Sequence, residues 1–440
     1  MTTLPQAFCR RMQEQLGGEY EAFLACYDKP HLRGVRLNTL KCEEKTLRQA
    51  LPFSIAPAPF SPLSYYVPED VERLGSLPMH HAGALYVLEP SAASAVTALA
   101  PVPGERVLDL CAAPGGKSTQ IAARLAGKGL LWSNEIVRSR ANILLSNIER
   151  MGVRNAVVSS CRPDALCEGL AGFFDKVLVD APCSGEGMFR RDERAVAEWS
   201  PEHVKACAVR QSAILNSAAL ALKEGGVLVY STCTFSPEEN EGVISSFLRE
   251  HDDFELLDCG VSFGRPAALP QARRILPMDG GEGHFVARLR RISANGCVPS
   301  AYEYQKPSGA ARACCELIYR EQPAGALEQI GENLLLLPLG LPRMKGLGVL
   351  RAGVLLGTSQ KRVEPAHAAF MAACTGELRA ALDLPHDSPR LAAYLHGEEI
   401  EAPESLRGYV GVAVDGVTAG FGKCSGGRLK NRYPKGLRNH

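Results

Sequence analysis

Two short segments of the chain carry residues that could do chemistry, an aspartate with a cysteine in the first and a second cysteine in the other. In DAPCSGEG, Cys183 lies three residues beyond Asp180, and in YSTCTFSPEEN, Cys233 ends the next predicted strand. A single buried cysteine is usually a small core residue. Two cysteines on turns with small or hydroxylated residues at strand ends are more typical of chemistry, because a thiolate is a strong nucleophile. We therefore expect Asp180, Cys183 and Cys233 to open onto one cleft.

The stretch LDLCAAPGGKST, residues 108–119, looks like the end of a phosphate-binding loop. That motif requires a glycine five places before Gly116, and Cys111 stands there instead. The dinucleotide fingerprint G-x-G-x-x-G is also absent. A short strand containing Asp109, a turn of small residues and a helix that opens near Lys117 favour a ligand that approaches the backbone at a helix N-terminus.

Two acids further along the chain indicate what that ligand is. Glu135 lies eighteen residues after Lys117 at the end of a predicted strand, where a carboxylate accepts hydrogen bonds from ribose hydroxyls. Asp164, in CRPDA, lies where it could reach an adenine. Since the chain has no loop for a long phosphate group, these residues predict S-adenosylmethionine as the cofactor.

A nucleoside triphosphatase is a weaker alternative. The segment KVLVD, residues 176–180, looks like a strand that ends in a magnesium-binding aspartate. However, Ala-Pro-Cys-Ser-Gly follows Asp180, and the partner motif is broken at Cys111. The sequence therefore disfavours this class.

Beside a methyl donor, the acid and the two thiols fit methylation of a pyrimidine ring. Carbon 5 of a pyrimidine is too electron-poor to attack a methyl group unaided, so a thiolate must first add to carbon 6. An acid near ring nitrogen 3 stabilises the charge that builds up, and Asp180 is the candidate. A base or second thiol then helps remove the proton from carbon 5. The residues leave open which cysteine attacks.

The surrounding elements alternate between strands and helices from Arg106 onward. Strands are predicted at RVLDL, GLLWSNE, AVVSS, KVLVD and GVLVYSTC, with helices between them, and FELLD and GHFVARLRR as closing strands. Apolar strands separated by helices indicate a parallel sheet covered on both faces, the doubly wound α/β class. In that class ligands bind beyond the carboxyl ends of the strands, where every candidate residue lies.

Composition restricts the class of protein. The chain has 440 residues, which suggests two or three domains, and it contains fifteen cysteines without a C-x-x-C pair. We expect reduced cysteines and no metal site. No apolar run is long enough to cross a bilayer and the N-terminus lacks a signal peptide, so we expect a cytoplasmic protein without membrane contact.

The net charge of +1 conceals two basic regions. Six lysines or arginines and no acid lie in residues 421–440, and six more basic residues lie between Lys29 and Arg48. Local basic surfaces of this kind suit nucleic acid, although a solvated tail is the simpler interpretation of a lone charge run. Tyr433 and Pro434 interleave the C-terminal charges and favour a shaped surface.

Taken in order, CAAPGGK, Asn134-Glu135, DAPCSGEG and STCTF resemble the motifs of the Sun (Nop/Sun) family of RNA cytosine-5 methyltransferases, bacterial RsmF type. RLNTLK near the N-terminus and KNRYPKGLR near the C-terminus extend the resemblance over nearly the whole chain. It implies a Rossmann-like class I methyltransferase core at residues 86–292 and an N-terminal α/β RNA-recognition module at 1–85. It also implies a linker at 293–310 and a C-terminal module at 311–440 that ends in a PUA-like, β-rich RNA-binding segment.

The resemblance also implies roles for individual residues. Cys233 would be the nucleophile, and Cys183 would assist release of the product. Asp180 would contact S-adenosylmethionine, as would Glu135, Asp164 and the loop made of Cys111, Ala112, Ala113, Pro114, Gly115, Gly116 and Lys117. Arg162-Pro163 stands before Asp164 where the family commonly has glycine.

For the partner, the resemblance implies small-subunit ribosomal RNA. We expect the target cytosine to be single-stranded or flipped into the cleft, because pairing hides carbon 6 in the stack. Lys430, Arg432 and Lys435 are the expected RNA-binding residues, and we expect a monomer. The alternatives are a methyltransferase for transfer RNA, DNA, protein or a small molecule, and a non-catalytic RNA-binding assembly factor.

Overall fold

A computed structural model describes residues 4–293 and 299–439 of the chain. Five residues of the expected linker, 294–298, lie outside the described part. Within that part, no helix has the length and hydrophobicity needed to cross a membrane.

The N-terminal module combines helices with a small antiparallel sheet in the order β2-β3-β1-β4. Its strands are β1 (Gly34–Leu37), β2 (Ala56–Pro57), β3 (Ser64–Tyr66) and β4 (Leu85–Leu88). Its helices are α1 (Gln6–Leu16), α2 (Tyr20–Leu24), α3 (Glu44–Ala50) and α4 (Pro78–His81).

The core contains a parallel sheet of five strands, as the apolar runs predict. These strands are β5 (Arg106–Asp109), β6 (Leu130–Asn134), β7 (Ala156–Ser159), β8 (Phe174–Asp180) and β9 (Leu222–Thr232). They lie in the order β9-β8-β5-β6-β7, so the strand order reverses between β5 and β8. This is the doubly wound class predicted from the sequence, and the reversal marks where such sheets bind ligands.

The core contains seven helices, and four further strands extend the sheet beyond β9. The helices are α5 (Ser94–Leu99), α6 (Gly116–Leu125), α7 (Arg138–Arg150), α8 (Pro163–Gly169), α9 (Glu193–Glu198), α10 (Pro201–Ala221) and α11 (Glu241–Glu250). The strands are β10 (Phe254–Leu257), β11 (Arg265–Pro266), β12 (Arg273–Ile275) and β13 (His284–Arg291). Because β13 runs antiparallel to β9, its first residue, His284, lies at the carboxyl edge of the parallel strands.

The C-terminal part folds into two small sheets. The first, β14-β15-β17-β18, carries α12 (Gly309–Ile318) and α13 (His367–Met371), and the second, β19-β21-β22-β23-β20, carries α14 (Pro389–His396). The strands are β14 (Ala326–Ile330), β15 (Asn333–Leu337), β16 (Val349–Ala352), β17 (Val354–Ser359), β18 (Val363–Pro365), β19 (Ala381–Leu384), β20 (Ile400–Glu401), β21 (Gly408–Val414), β22 (Val417–Ser425) and β23 (Arg428–Asn431). Strand β16 leaves this part of the chain and pairs antiparallel with β7, which extends the core sheet.

The two end modules pack against each other. Val35 and Tyr65 of the N-terminal module share one hydrophobic cluster with Val412 and Tyr433 of the C-terminal module. His81 lies between them, with Nδ1 2.7 Å from the Tyr433 hydroxyl. The end modules therefore form one body on the core, which holds the RNA-recognition candidates in fixed positions.

Candidate active site

A cavity of about 780 Å³ opens at the carboxyl ends of the parallel strands. This volume lies within the range of small-molecule sites. Each of the five strands contributes a residue beyond its end: Cys111 and Ala113 after β5, Glu135 after β6, Asp164 after β7, Asp180 and Cys183 at β8, and Cys233 after β9. The structure thus brings together residues that the sequence analysis selected from five separate segments.

Only part of the loop 111–117 faces the cavity. Gly115 has a φ of 114°, which favours glycine, and an added Cβ would lie 3.2 Å from Leu144 of α7. Gly116 packs beside the Tyr86 ring of the N-terminal module. Ala112 is buried in the core, and the Pro114 carbonyl accepts a hydrogen bond from Asn147. These four residues shape the turn that opens α6, and a direct contact between them and a cofactor stays a prediction.

Glu135 places a buried carboxylate at the cavity wall. Its side chain is only 4% exposed, and Oε1 accepts a hydrogen bond from the Val137 N–H at 3.0 Å. Oε2 lies 3.4 Å from the Arg140 guanidinium. A buried carboxylate must be paired, and these two partners at the start of α7 supply the pairing. They hold the Glu135 carboxylate at the cavity wall, where its oxygens can accept hydrogen bonds from a ligand.

Asp164 lies at the more open rim. Its carboxylate pairs with Arg162 and accepts a hydrogen bond from the Ala165 N–H at 2.8 Å. The arginine that departs from the family pattern thus neutralises this acid. Asp164 lines the same cavity as Glu135, as predicted for an adenine-side residue, but its role stays a prediction.

Asp180 forms an ion pair with Lys117. Lys117 Nζ lies 2.8 Å from Oδ2 of Asp180, and the Ser231 hydroxyl donates to Oδ1 at 2.8 Å. Burial would raise the pKa of Asp180, but the Lys117 charge, His284 and these hydrogen bonds outweigh it and lower the pKa below its ordinary value. Burial disfavours the Lys117 ammonium, yet Asp180 raises its pKa. The pair therefore consists of a carboxylate and an ammonium.

The sulfur atoms of Cys183 and Cys233 lie 3.3 Å apart. The hydrogen bond to Cys233, followed by burial, raises the pKa of the Cys183 thiol well above its ordinary value. Two thiolates at this distance would repel each other, so the pair carries at most one thiolate at a time. The structure thus brings the two predicted thiols together, and which of them attacks stays a prediction.

Two buried glutamates that the sequence analysis did not select hold the cysteine turns. Glu186 accepts hydrogen bonds from the Phe235 N–H at 2.8 Å and the Trp199 indole at 2.9 Å. Glu239 accepts from the Ser184 N–H at 2.9 Å and from Gln211 at 2.7 Å. Each carboxylate joins the turn after β8 to the turn after β9. The sequence feature that could have identified these two glutamates is an acid within each of the turns DAPCSGEG and SPEEN.

The three basic residues expected to bind RNA lie apart from the cavity. Lys430 is on β23, and Arg432 and Lys435 follow it, all with exposed side chains. Tyr433 between them is buried against His81, so the segment is a shaped surface and not a free tail.

Metals and disulfides play no visible part in the described residues. Residues 4–293 and 299–439 contain no cluster of three or more acidic, histidine or cysteine side chains that could hold a metal ion. The fourteen cysteines among them are free thiols.

Family models match four consecutive parts of the chain. They are the N-terminal domain of 16S rRNA methyltransferase RsmF at residues 4–90 and 16S rRNA methyltransferase RsmB/F at 96–290. The RsmF first C-terminal domain matches at 314–372, and the methyltransferase RsmF PUA domain at 381–439.

Full-length relatives and solved structures agree with these matches. The chain is 32% identical to ribosomal RNA small subunit methyltransferase F of Vibrio vulnificus over 99% of its length and 97% of the relative's. It is 33% identical to the enzyme of that name from Escherichia coli O1:K1, over 98% of the chain and 96% of the relative. A methyltransferase homolog from Pyrococcus horikoshii is 31% identical over 65% of this chain and 95% of its own, with a TM-score of 0.58. NSun6 from the same organism, solved with SFG, shares the fold at 23% identity and a TM-score of 0.60, over 67% of this chain and 100% of its own.

Proposed function

Because the chain belongs to the RsmF branch of the RsmB/F family of 16S rRNA methyltransferases, we propose that it methylates carbon 5 of a cytosine in small-subunit ribosomal RNA. The observation that carries this proposal is the pair of cysteine sulfurs 3.3 Å apart at the ends of two neighbouring strands. The ion pair of Lys117 and Asp180 lies at the same edge of the sheet.

The cavity fits S-adenosylmethionine, which supplies the methyl group. A buried carboxylate is available for the ribose hydroxyls at Glu135, and the backbone around Cys111 and Ala113 leaves room for close approach. Asp164 would hold the adenine side. This chain's residues bind and orient the cofactor.

In the first step, the Cys233 thiolate forms a bond to carbon 6 of the cytosine. The electrons of the ring shift towards nitrogen 3, which takes a proton from the Lys117–Asp180 pair. Asp180 is ionised in this pair, so it accepts and orients, and Lys117 carries the exchangeable proton. Carbon 5 then becomes electron-rich enough to take the methyl group, and nitrogen 3 returns its proton.

In the second step, Cys183 removes the proton from carbon 5, and the bond between Cys233 and carbon 6 breaks. The main cause of the raised pKa of Cys183 is its hydrogen bond to Cys233. That cause disappears once the Cys233 sulfur is bonded to carbon 6, so the Cys183 thiol loses its proton to water more readily and becomes a base. Both cysteines end the cycle in their starting states, with one thiolate and one thiol.

We further propose that residues 1–85 and 311–440 recognise the RNA, with Lys430, Arg432 and Lys435 among the contacts. Their exposure and the shaped surface around Tyr433 support this. Transfer RNA as the substrate, or a non-catalytic assembly role, would use the same surfaces.

The test of the function is methyl transfer from labelled S-adenosylmethionine. The purified chain is incubated with deproteinised 16S ribosomal RNA, assembled small subunits or transfer RNA, and the RNA is digested to nucleosides. We expect labelled 5-methylcytidine from one of the two ribosomal substrates. Label only in transfer RNA, or in a nucleoside other than 5-methylcytidine, would contradict the proposal.

Glu135→Gln should weaken S-adenosylmethionine binding about tenfold or more, because a hydrogen bond to a charged group contributes roughly 1.5–3 kcal/mol. The measurement is the Kd for the cofactor by isothermal titration calorimetry. Glu105→Gln is the matched control, since Glu105 is also an ion-paired acid on the core, 3.2 Å from Lys176, but does not line the cavity. An unchanged Kd in Glu135→Gln would remove Glu135 from the cofactor site.

A further inference from the structure

A short segment of the N-terminal module, residues 28–33, is fixed against the loop that follows Cys183. The anchor is an ion pair of 2.8 Å between Arg190 and Glu282, whose side chains are only 6% and 2% exposed. Arg190 also donates to the carbonyl of Pro30 at 2.6 Å, and the Leu32 N–H donates to Glu282 at 2.6 Å. Two buried charges thus hold this segment, which we call the strap, in one position.

The strap and the loop carry four basic residues. Lys29 and Arg191 are exposed, and His31 and Arg33 are half-buried. Arg190 donates to the carbonyls of Lys29 at 3.1 Å and Pro30 at 2.6 Å, so Arg191, its neighbour in the chain, lies beside the strap. In agreement with this placement, burial and then the positive charges of Arg191, Arg33 and Arg190 lower the pKa of His31. Asp28 is the one acid within the strap itself.

Three of these four basic residues form no close ion pair within the described part of the chain. Among the ion pairs of residues 4–293 and 299–439, none involves Lys29, Arg33 or Arg191. By contrast, Arg190, the neighbour of Arg191, pairs with Glu282 and donates to the carbonyls of Lys29 and Pro30. Holding unpaired like charges together costs free energy that a bound anion would recover.

The same loop forms part of the catalytic cavity. Gly185 and Met188 line it together with Cys183, and the Arg191 N–H donates to the Met188 carbonyl at 2.8 Å. Arg191 and the strap therefore lie next to residues that line the cavity.

We propose that the surface formed by Lys29, His31, Arg33 and Arg191 binds backbone phosphates of the RNA strand next to the target cytosine. This inference rests on the proposed function and adds to it a contact site distinct from Lys430, Arg432 and Lys435. Phosphate contacts fix the register of a nucleic acid, so this surface positions the strand while the cavity receives the base.

Other basic residues between Lys29 and Arg48 are occupied by contacts within the protein. Arg36 is buried and donates to Thr119 at 2.7 Å, and the Lys41 ammonium donates to the Thr418 carbonyl at 2.8 Å. Arg48 pairs with Glu44. Of the lysines and arginines in that run, Lys29 and Arg33 are the two that the strap holds at the catalytic loop.

The test compares Arg33→Ala/Arg191→Ala with the wild type in steady-state methylation of the ribosomal substrate. We expect KM for RNA to rise about tenfold or more, while kcat at saturating RNA stays within about twofold and the cofactor Kd is unchanged. The slope of log KM against log salt should fall by about 1.4 for two phosphate contacts to a single strand. Arg33→Lys/Arg191→Lys should restore most of the affinity, because it keeps the charges.

Arg124→Ala/Arg249→Ala is the matched control. Both arginines are exposed in the last turns of α6 and α11, at the opposite edge of the sheet. If the wild type methylates RNA and the strap variant has the same KM and salt slope, the inference is wrong and the proposed function stands. If the wild type transfers no methyl group to RNA, the proposed function fails. A loss confined to kcat would also contradict the strap as a binding surface.

Discussion

Cys183→Ala protein expressed in bacteria should run on a denaturing gel partly as a slower band that ribonuclease removes. Without the Cys183 thiol, the proton on carbon 5 stays in place after methyl transfer, and the bond between Cys233 and carbon 6 cannot break. The enzyme then accumulates as a covalent complex with RNA. The measurement is the fraction of slowed protein before and after ribonuclease, and we expect turnover to fall by about 10²-fold or more, as is typical when a general base is lost.

Two further variants make this prediction specific. Cys233→Ala should show no slowed band, because the sulfur that forms the bond is gone. Cys111→Ala should also trap nothing, although Cys111 lines the same cavity. Burial and the charges of Asp109 and Asp180 raise the pKa of the Cys111 thiol, so it does not supply a thiolate. If only Cys233→Ala gave a slowed band, the roles of the two cysteines would be the reverse of those proposed. If no variant gave a slowed band, the covalent mechanism would be contradicted.

The parallel sheet and the position of the site could be predicted because both depend on local patterns. Apolar runs such as KVLVD require burial on both faces, and parallel strands carry their carboxyl ends to one edge. Once that order is known, Asp109, Glu135, Asp180 and Cys233 must lie near one another. The residues that line the cavity could therefore be selected from residue types at strand ends.

The partners of those residues were not predictable, because they depend on packing between distant segments. Lys117 belongs to the predicted cofactor loop, and nothing in the sequence indicates that its ammonium pairs with Asp180 and keeps that acid a carboxylate. Glu186 and Glu239 were not selected from the sequence, and both are buried and join the two cysteine turns.

Domain contacts also escaped the sequence patterns. Strand β16 comes from beyond the expected core and pairs with β7, yet its residues, 349–352, carry no sign of which sheet they join. The basic residues from Lys29 to Arg48 were expected to form a surface, whereas Arg36 is buried, Lys41 is half-buried, and both bind backbone or hydroxyl groups of other modules. The sequence shows where basic residues are concentrated, and only the fold shows which of them are exposed and have no partner within the protein.

Lys117→Met should lower kcat by about 10²-fold or more at neutral pH and shift the acidic limb of the rate profile to higher pH. In the wild type the Lys117 charge lowers the pKa of Asp180, which burial alone would raise. Without Lys117, burial dominates, and Asp180 takes up a proton at a pH where it was ionised before. A general acid–base pair of this kind contributes roughly 10²–10⁴-fold to rate.

The measurement is kcat against pH between 5 and 9 with saturating RNA and cofactor. Lys117→Arg should keep Asp180 ionised, so its acidic limb should stay near that of the wild type even if its rate is lower. Lys176→Met is the matched control, because Lys176 is equally buried on β8 and is paired with Glu105, away from the cavity. If Lys117→Met lost activity without any movement of the acidic limb, Lys117 would act as a proton donor or cofactor ligand alone and not by holding Asp180 as a carboxylate.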